Sequence, residues 1–448
     1  MYFRQILNHD LGCASYLIAD RGEAAVIDPK WEIDEYMKAA VDVGAEIRHV
    51  LETHYHADHV SGRRRVISAT GASAHLPAGA GKPRIRDGYV VCVGDLELVA
   101  VAAPGHRPEH LAYMVREQGV PRLLLSGDSL LVGDVARPDL AVAPEQGARA
   151  LWHTLKRLLA LGDEVEVWPA HVGGSLCASR NASAATSSTI GRERRANPLL
   201  SLAEATFAAE VTGCVPARPP SVERVVKLNL RGATYPGPLR EVDASALGLF
   251  LGERVCVIDI RDPDSFDAGH LDGSINLPAG GRGLGMRAGW AAANEPIVLI
   301  SPSLDAGQRV TELLRAAGNW NLAGMSIADP GAWQAAGLAI RSSGAVAPRR
   351  LVPAIRAEEV NLVDVRDPGE WAAAHIVGSR SLPLSQLGDG LDPALTLEPP
   401  IAVVCASGTR AALAASIMRR RGHDPVWRVS GGIEQFARLG APMVRGPS

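Results

Sequence analysis

Four side chains that can bind a metal lie within six residues of this chain: His54, His56, Asp58 and His59. Histidine and aspartate are costly to bury unless they are paired or metal-bound, so core packing does not explain such a cluster. The cluster directly follows residues 47–52, an aliphatic run that we predict to be a strand. The spacing therefore predicts a catalytic metal site at the end of a strand.

Three later segments add candidate ligands in the same way. His106 ends a Pro-Gly-His run, Asp128 follows Ser-Gly, and His171 ends a Pro-Ala-His run, each after an aliphatic stretch. The ends of strands meet at one edge of an open α/β sheet, so these side chains are expected to converge. A single histidine is more often structural, but four strand ends that each deliver His or Asp indicate a metal site.

The hydrophobic pattern predicts the elements that would hold these side chains. Over residues 1–235, short aliphatic runs alternate with loops rich in His, Asp and Gly. Besides 47–52, we predict strands at residues 24–28, 96–102 and 122–126, and helices at residues 32–43 and 148–160. A Pro- and Arg-containing passage at 215–221 and a loop-like stretch at 231–238 mark the end of this part.

The rest of the chain contains an internal repeat. Residues 257–278 and 362–383 match at an offset of 105 with ten of 22 positions identical, among them Asp259/Asp364 and His270/His375. Each copy continues with an aliphatic stretch, at 296–300 and 400–404, that leads into a loop and a helix. Strands that alternate with helices at this size predict small α/β domains with parallel sheets. With residues 342–350 as a linker, we predict three domains: 1–235, 236–345 and 346–448.

Cys405 directly follows the last of these strands and precedes a helix expected to begin near Ala411. The small residues after it let the loop curl, so that backbone N–H groups point at the sulfur. The polarity of the helix N-terminus and the charge of Arg410 would both favour a thiolate. The loop is one residue tighter than the similar loop of phosphatases, which suits sulfur better than phosphate. In the first copy Ser301 takes the place of the cysteine and Pro302 removes an N–H, which predicts a catalytically silent copy.

Composition and charge exclude several classes of partner. The net charge is −3 and no long Lys/Arg run occurs, so neither nucleic acid nor an anionic membrane surface is expected. No apolar stretch is long enough to span a bilayer, and the first residues lack a signal-peptide pattern, so we expect a cytoplasmic protein. The six cysteines are far apart with no CxxC pair, so they predict neither a disulfide framework nor a cysteine-type zinc site.

The HxHxDH…PGH…GD…PAH series, over roughly the first 215 residues, resembles the metallo-β-lactamase fold superfamily. The resemblance implies an α/β fold with an αββα sandwich. In binuclear members, a first metal would take His54, His56, His106 and Asp128, and a second would take Asp58, His59, Asp128 and His171. All these positions are filled, so the ligand set by itself permits a two-zinc hydrolase.

The residues around Asp128 and His171, from 126 to 139, 169 to 175 and 189 to 198, resemble the persulfide dioxygenase branch of that superfamily. This resemblance implies one Fe(II) per chain, held by His54, His106 and Asp128, with zinc as the alternative metal. Such a triad leaves three positions open on the metal. The other four candidates, His56, Asp58, His59 and His171, would then orient the ligands.

Four further residues are candidates at this site. Arg137 and Asp139 match the Arg-x-Asp of the dioxygenase branch and would position an anionic substrate or brace the loop, with a surface ion pair as the alternative. Cys177 lies six residues after His171 in a Gly/Ser loop near the expected mouth of the site, where it could relay sulfur or be incidental. The same two readings apply to Cys13.

Residues from about 346 to 448, with Asp364, His375 and the Cys405 loop, resemble a rhodanese domain, so that Cys405 would carry sulfur as a persulfide. The whole chain resembles the dioxygenase–rhodanese fusion proteins of bacterial sulfide oxidation in which the first rhodanese-like domain is silent. The resemblance implies O₂-dependent oxidation of a small persulfide (of glutathione, coenzyme A or cysteine) to sulfite. It also implies sulfur transfer that forms or uses thiosulfate, and a homo-oligomer.

Two other functions stay open at this point. The full ligand set also fits a zinc-dependent thioesterase similar to glyoxalase II, which needs only Lewis acidity and a bound hydroxide. A non-enzymatic interpretation makes the chain a sulfur carrier or persulfide sensor. Metal identity and count separate the first of these from the dioxygenase.

Overall fold

The computed structural model describes residues 1–79, 85–173, 177–178, 183, 185–213, 215, 217–251, 254–292, 294–387 and 400–446. The chain forms two compact units. The first comprises Met1–Pro236 with Arg315–Gly318, and the second comprises Gly237–Leu314 with Asn319–Ser448. The second unit holds both copies of the repeat, so the predicted boundary between residues 345 and 346 stays a prediction.

Among its described residues, the first unit has two large mixed β-sheets and a two-stranded sheet. Its strands are β1 (Tyr2–Asn8), β2 (Cys13–Asp20), β3 (Glu23–Ile27), β4 (Glu46–Leu51), β5 (Ser73–His75), β6 (Val90–Val93), β7 (Leu96–Ala102), β8 (Leu111–Glu117), β9 (Val120–Gly127), β10 (Leu130–Leu131), β11 (Asp134–Val135), β12 (Glu166–Pro169) and β13 (Ser188–Thr189). One large sheet has the order β1-β2-β3-β4-β5, the other large sheet has the order β13-β12-β9-β8-β7-β6, and β10 and β11 form the two-stranded sheet. The four strands predicted from the sequence all form.

Helices cover the outer face of each large sheet. They are α1 (Asp34–Asp42), α2 (Arg63–Thr70), α3 (Pro144–Leu158), α4 (Ile190–Ala196), α5 (Glu204–Thr212) and α6 (Val222–Arg231), with 3₁₀ turns at Leu159–Leu161 and Pro198–Ser201. Both predicted helices form. The helix α6 was not predicted, and it lies between the two passages expected to be irregular.

Alternating side chains explain the layers. In β2, Tyr16 and Ile18 enter the core between the two sheets, whereas Leu17 enters a core shared with α1 and α2. In β9, Leu125 enters the core between the sheets, whereas Leu124 packs with α3 and α5. Successive residues of a strand point to opposite faces, so a strand that is apolar on both faces must be covered on both. The order of layers is the predicted αββα sandwich.

The second unit is built on two parallel sheets. Its strands are β14 (Cys256–Asp259), β15 (His270–Leu271), β16 (Ile275–Asn276), β17 (Ile297–Ser301), β18 (Leu322–Ile327), β19 (Ile340–Arg341), β20 (Ala345–Val346), β21 (Asn361–Asp364), β22 (His375–Ile376), β23 (Arg380–Ser381), β24 (Ile401–Val404), β25 (Val426–Val429) and β26 (Met443–Val444). The sheets have the orders β16-β14-β17-β18 and β20-β25-β24-β21-β23. Their recorded pairs are parallel, as predicted.

The helices of the second unit follow its strands. They are α7 (Ala244–Leu251), α8 (Pro263–Ala268), α9 (Leu284–Ala292), α10 (Leu304–Ala316), α11 (Pro330–Ala335), α12 (Pro348–Arg356), α13 (Pro368–Ala373), α14 (Thr409–Arg420) and α15 (Ile433–Arg438), with a 3₁₀ turn at Leu384–Leu387. The prediction of a linker at 342–350 is wrong in part. Val346 pairs with Val429 in the second sheet and packs on a core, and α12 begins at Pro348.

Among the residues that the structure describes, no helix combines the length and the apolar character needed to cross a membrane.

Candidate functional site

Three ligand atoms converge where three strands end. His54 follows β4, His106 lies in the loop after β7, and Asp128 directly follows β9. The Nε2 atoms of His54 and His106 lie 3.6 and 3.4 Å from Asp128 Oδ2, and all three side chains are fully buried. The fold thus brings together the three residues that the resemblance to persulfide dioxygenases implied as iron ligands.

The three atoms meet a physical test for a metal site. Within the described part of the chain, none of His54 Nε2, His106 Nε2 and Asp128 Oδ2 has a hydrogen-bond partner. An unsatisfied buried polar atom costs about 1–3 kcal/mol, so three that face one another call for a common partner. Two imidazoles and one carboxylate form a donor set that first-row transition metals accept. The residues present therefore fit a metal ion.

Hydrogen bonds on the far side of both imidazoles leave Nε2 free. His106 Nδ1 lies 2.9 Å from the carbonyl oxygen of Arg137, which can only accept, so Nδ1 carries the proton. Thr53 Oγ1 donates to Asp28 Oδ2 over 2.8 Å and therefore accepts from His54 Nδ1, which is 2.9 Å away. Burial lowers the pKa of both histidines, which keeps Nε2 unprotonated. Asp28 and Thr53 were not identified from the sequence.

His56 does not join the triad. Its Nε2 lies 3.2 Å from Asp28 Oδ1 and 3.4 Å from Glu52 Oε2, and all three residues are buried. Burial by itself would lower the pKa of His56, but the two carboxylates raise it to about 10. The imidazolium is therefore favoured, and it balances two buried negative charges. The four-residue ligand set of the binuclear pattern is not assembled among the described residues.

A second network surrounds His171, which follows β12. Its Nδ1 lies 2.6 Å from Asp128 Oδ1, and its Nε2 lies 2.8 Å from Asp58 Oδ2. Burial disfavours the imidazolium, but these carboxylates outweigh that effect and raise the pKa of His171 well above its ordinary value. His59 Nδ1 in turn lies 3.1 Å from Asp58 Oδ1. The predicted orienting residues other than His56 thus form a chain of contacts that ends on Asp128.

Two buried thiols border this network. Cys13 donates from Sγ to Asp58 Oδ2 over 2.9 Å. Cys177 lies with Asp128 and His171 in a group whose ligand atoms are within 4.8 Å of one another. Burial raises the pKa of both thiols, which favours the protonated form. Cys177 was expected near the mouth of the site, but the structure buries it completely.

Arg137 and Asp139 brace the loop after β11. The Arg137 side chain is 1% exposed and its Nε and one terminal nitrogen each donate to Asp139 over 2.7 Å. The surface ion pair considered from the sequence is therefore wrong for Arg137. Because the Arg137 carbonyl oxygen holds His106, this buried pair fixes the position of a predicted metal ligand.

The role of His110 was not identified from the sequence. His110 accepts through Nε2 from the backbone N–H of Asp128 over 2.8 Å, and its ring stacks against His54 at 5.0 Å. Burial lowers the pKa of His110 to about 3, so the neutral ring is the stable form and can accept. Its position beside Asp128 depends on a contact between distant segments, which spacing along the chain does not show.

The loop after β24 wraps around Cys405 as the sequence predicts. The backbone N–H groups of Gly408 and Ala411 donate to Cys405 Sγ over 3.1 and 3.4 Å. Gly408 adopts a φ of +102°, which glycine tolerates readily. On the other side, Ile433 donates from its N–H to the carbonyl oxygen of Cys405 over 3.0 Å. The sulfur thus sits in a cradle of N–H groups at the start of α14.

Arg410 forms ion pairs with two carboxylates that the sequence analysis did not identify. Its two terminal nitrogens donate to Glu370 over 2.5 and 2.8 Å, and one lies 3.4 Å from Asp367. Two carboxylates therefore already balance its positive charge. That Arg410 also favours the Cys405 thiolate stays a prediction.

The equivalent loop of the first copy is closed on itself. Ser301 is completely buried and donates from Oγ to the carbonyl oxygen of Ser303 over 2.8 Å. The repeat is otherwise preserved, because Arg261 binds Asp259 as Arg366 binds Asp364, both at 2.6 Å. A silent first copy thus stays a prediction with a geometric reason.

Comparison with known families matches both parts of the chain. The metallo-beta-lactamase superfamily matches residues 10–171, and the rhodanese-like domain matches residues 348–439. The chain has a metallo-beta-lactamase domain and a C-terminal rhodanese domain. The rhodanese match lies on the second copy of the repeat, the one that contains Cys405.

Relatives of two kinds resemble the metallo-beta-lactamase domain. The chain is 31% identical over 172 residues to a hydroxyacylglutathione hydrolase from Methylobacterium nodulans, which covers 37% of this chain and 61% of that relative. It is 26% identical over 226 residues to the mitochondrial persulfide dioxygenase ETHE1 of Mus musculus, which covers 48% of this chain and 83% of the relative. The chain thus spans less than two thirds of that hydrolase and most of the dioxygenase.

A solved structure extends the likeness beyond the first domain. The crystal structure of a metallo-beta-lactamase from Staphylococcus aureus is 28% identical with a TM-score of 0.65, covering 73% of this chain and 99% of that chain. That share of the chain is larger than the first unit, so the likeness reaches into the second.

We expect Thr53→Val to weaken metal binding in the metallo-beta-lactamase domain about 10- to 100-fold, the usual cost of losing a partner of a metal ligand. The substitution keeps the shape but removes the hydroxyl between Asp28 and His54, so Nδ1 loses its fixed acceptor. Competition with a metal-binding dye measures the affinity. Thr53→Ser keeps the hydroxyl and serves as the control; equal affinities in the two variants would contradict the relay.

We expect Gly432→Ala to lower the stability of the rhodanese domain by about 1–3 kcal/mol, a typical cost of overpacking. A Cβ there would lie 1.6 Å from the carbonyl oxygen of Ala406, inside the Cys405 loop, so the backbone must shift. The midpoint temperature of thermal unfolding and the rate of the predicted sulfur transfer by Cys405 should both fall. Gly369→Ala, where a Cβ meets no atom within 4 Å, is the control, and equal melting of the two variants would refute the expectation.

Proposed function

We propose that the chain is an iron-dependent persulfide dioxygenase coupled to a sulfurtransferase. The first reaction is R–S–SH + O₂ + H₂O → R–SH + SO₃²⁻ + 2 H⁺, where the outer sulfur is oxidised, O₂ is reduced and the thiol leaves. The observation that carries the proposal is the set of three buried ligand atoms on His54, His106 and Asp128 that face one another without hydrogen-bond partners. The Nε2 atom of His56 faces the carboxylates of Asp28 and Glu52 instead.

Three protein ligands suit this chemistry better than four. A ferrous ion bound by His54, His106 and Asp128 would supply a redox metal with open positions for O₂ and a thiolate. The chain's own residues hold that set in place: Thr53 orients His54, and the Arg137 carbonyl orients His106. The neutral His110 and the charged His171 hold the backbone and the side chain of Asp128.

The Cys405 loop would use the sulfite. In the direction of thiosulfate formation, sulfite attacks the outer sulfur of the Cys405 persulfide, the S–S bond breaks, and Cys405 leaves as a thiolate: Cys–S–S⁻ + SO₃²⁻ → Cys–S⁻ + S₂O₃²⁻. The N–H groups of Gly408 and Ala411 are placed to stabilise that thiolate. The product of one site is then a substrate of the other, which supports the pairing of the two domains.

Oxygen uptake tests the proposal. Protein loaded with Fe(II) under anaerobic conditions is mixed with glutathione persulfide, coenzyme A persulfide or cysteine persulfide in an oxygen electrode, and sulfite is measured. We expect one sulfite for each O₂ consumed with at least one of these substrates. Iron-loaded protein that consumes no O₂ with any of them would overturn the dioxygenase assignment.

A zinc-dependent thioester hydrolase is the second candidate. The intact network of Asp58, His59 and His171 beside Asp128 favours it, since these residues could hold a second metal. The likeness to a hydroxyacylglutathione hydrolase points the same way. Two zinc ions per chain in protein purified without added metal, together with hydrolysis of S-lactoylglutathione, would establish this candidate in place of the first.

A further inference from the structure

The silent copy packs directly on the helix that supports Cys405. The helix α14 starts four residues after the cysteine, and residues 411–418 of this helix are all buried. Ser416 Oγ accepts from the backbone N–H of Asn276, which lies in the first copy, over 2.9 Å. One hydrophobic cluster contains Ala414 of α14 together with Leu284 of the first copy. The Cys405 loop therefore stands on a helix whose core both copies share.

This packing brings a glycine-rich loop of the first copy to the catalytic loop. Residues 279–283, Ala-Gly-Gly-Arg-Gly, precede α9. A Cβ built on Gly281 would lie 4.0 Å from Cγ2 of Thr409, which is the residue before Arg410. Gly281 and Gly283 have φ values of +95° and +73°, which side chains rarely adopt. A close approach to the rim of the Cys405 site is therefore built into this loop.

The loop is also held firmly. Arg287 of α9 is 7% exposed, and it donates to the carbonyl oxygens of Gly283 over 3.2 Å and of Arg282 over 2.9 Å. The Arg282 side chain, by contrast, is exposed and forms no ion pair with any residue that the structure describes. The loop that approaches Thr409 thus carries one exposed cation that has no ion-pair partner among the described residues.

A sulfurtransferase that handles sulfite or thiosulfate needs such a cation. Both are dianions, whereas the charge of Arg410 is already balanced by Glu370 and Asp367. Arg366 is likewise bound to Asp364 at 2.6 Å. Among the described residues, the groups that donate to Cys405 Sγ are the backbone N–H groups of Gly408 and Ala411. An exposed positive charge at the rim of the site would raise the local concentration of an anion.

We propose that Arg282 of the silent copy is a specificity-determining residue of the Cys405 site and recruits the anionic sulfur substrate. The inference rests on the proposed sulfur transfer at Cys405. It gives the silent copy a role in binding, in place of that of a spacer.

Steady-state kinetics of the full chain test the proposal, with thiosulfate as sulfur donor, cyanide as acceptor and thiocyanate as the readout. Arg282→Ala should raise KM for thiosulfate about five- to tenfold with kcat changed less than about twofold, and Arg282→Lys should restore most of the loss. Added salt should raise KM of the wild type much more than KM of Arg282→Ala, because salt screens exposed charges. A merely structural role would not produce this salt dependence or the rescue by lysine.

Arg254→Ala is the matched control. Arg254 is an exposed arginine of the same copy that binds Glu295. Glu295 also binds Arg420, which lies at the other end of α14, about 16 Å along the helix from Thr409. The substitution Arg254→Ala should therefore leave KM for thiosulfate unchanged. Equal KM values for Arg282→Ala and Arg254→Ala would overturn the proposal.

A second readout does not depend on turnover. The rates of Cys405 alkylation by iodoacetate, an anion, and by iodoacetamide, which is neutral, are followed by mass spectrometry of the Cys405 peptide. Arg282→Ala should lower the ratio of the two rates at least about threefold relative to Arg254→Ala. If the wild type forms no thiocyanate, the proposed sulfur transfer fails, while an unchanged alkylation ratio overturns the role of Arg282.

Discussion

Replacing His106 by alanine is expected to remove the metal and to reduce O₂ uptake by more than about 100-fold, the upper range for losing only an outer partner of a ligand. His106 contributes one of the three free ligand atoms, and its Nε2 lies 3.4 Å from Asp128 Oδ2 in a fully buried site. Two remaining side chains cannot close the triad. Metal content per chain and O₂ consumption with a persulfide measure the effect.

His56→Gln is the informative control for that experiment. His56 is equally buried and only two residues from His54, whose ring lies 4.1 Å away between centroids, but the Nε2 atom of His56 faces Asp28 and Glu52. We expect His56→Gln to keep most of its metal. If His56 were a fourth ligand of a zinc site, His56→Gln would lose as much metal as His106→Ala does. Because His56 balances two buried carboxylates, thermal unfolding of the metal-free proteins is measured alongside. Equal metal loss in two variants that melt alike would contradict the three-ligand site.

The positions of the strand ends could be predicted because they follow from local pattern. An aliphatic run that ends in His or Asp needs only period-two burial to be recognised, and β4, β7 and β9 each deliver the expected residue to one site. The αββα layers, which the resemblance to the metallo-β-lactamase superfamily implied, agree with this alternation, since β2 and β9 are apolar on both faces. Local sequence therefore fixes both the edge of the sheet and the residues displayed there.

The direction in which each side chain turns could not be predicted. His54 and His56 lie two residues apart in one motif, yet one faces Asp128 and the other faces Asp28. That choice depends on carboxylates delivered by other strands, since Asp128 lies 74 residues after His54 and Asp28 lies 28 residues before His56. The same holds for His110 and Cys13, which meet Asp128 and Asp58 only after the sheets are paired. Contacts of this kind cannot be predicted from the spacing of residues along the chain.

For the repeat, too, one part of the structure could be predicted and another part could not. Identical residues such as Asp259 and Asp364 predicted two alike parallel sheets, and these form. The interface between the copies was not predicted, because α14 of one copy packs on β16 of the other through positions that the repeat does not mark. This shared core is what places the glycine loop of the silent copy beside Thr409. The first copy, which we predict to be silent, thus supports the helix that follows Cys405.

Cys405→Ser is expected to abolish sulfur transfer, a loss of at least about 10³-fold, while O₂ uptake stays within about twofold of the wild type. A hydroxyl cannot hold sulfane sulfur, yet it fits the same cradle of Gly408 and Ala411 N–H groups, so the fold should survive. Cys92→Ser changes an exposed thiol of the other domain and should alter neither activity.

The pair of measurements on Cys405→Ser decides how the two activities are related. With glutathione persulfide and O₂, the variant should accumulate sulfite. The wild type, whose Cys405 carries sulfane sulfur, should convert the sulfite to thiosulfate. If O₂ uptake fell together with sulfur transfer in a variant that melts like the wild type, Cys405 would act within the oxidation itself, and the two-site scheme would be wrong. Persistent O₂ uptake without thiosulfate is the result that separates an enzyme with two sites from a carrier whose only reactive group is Cys405.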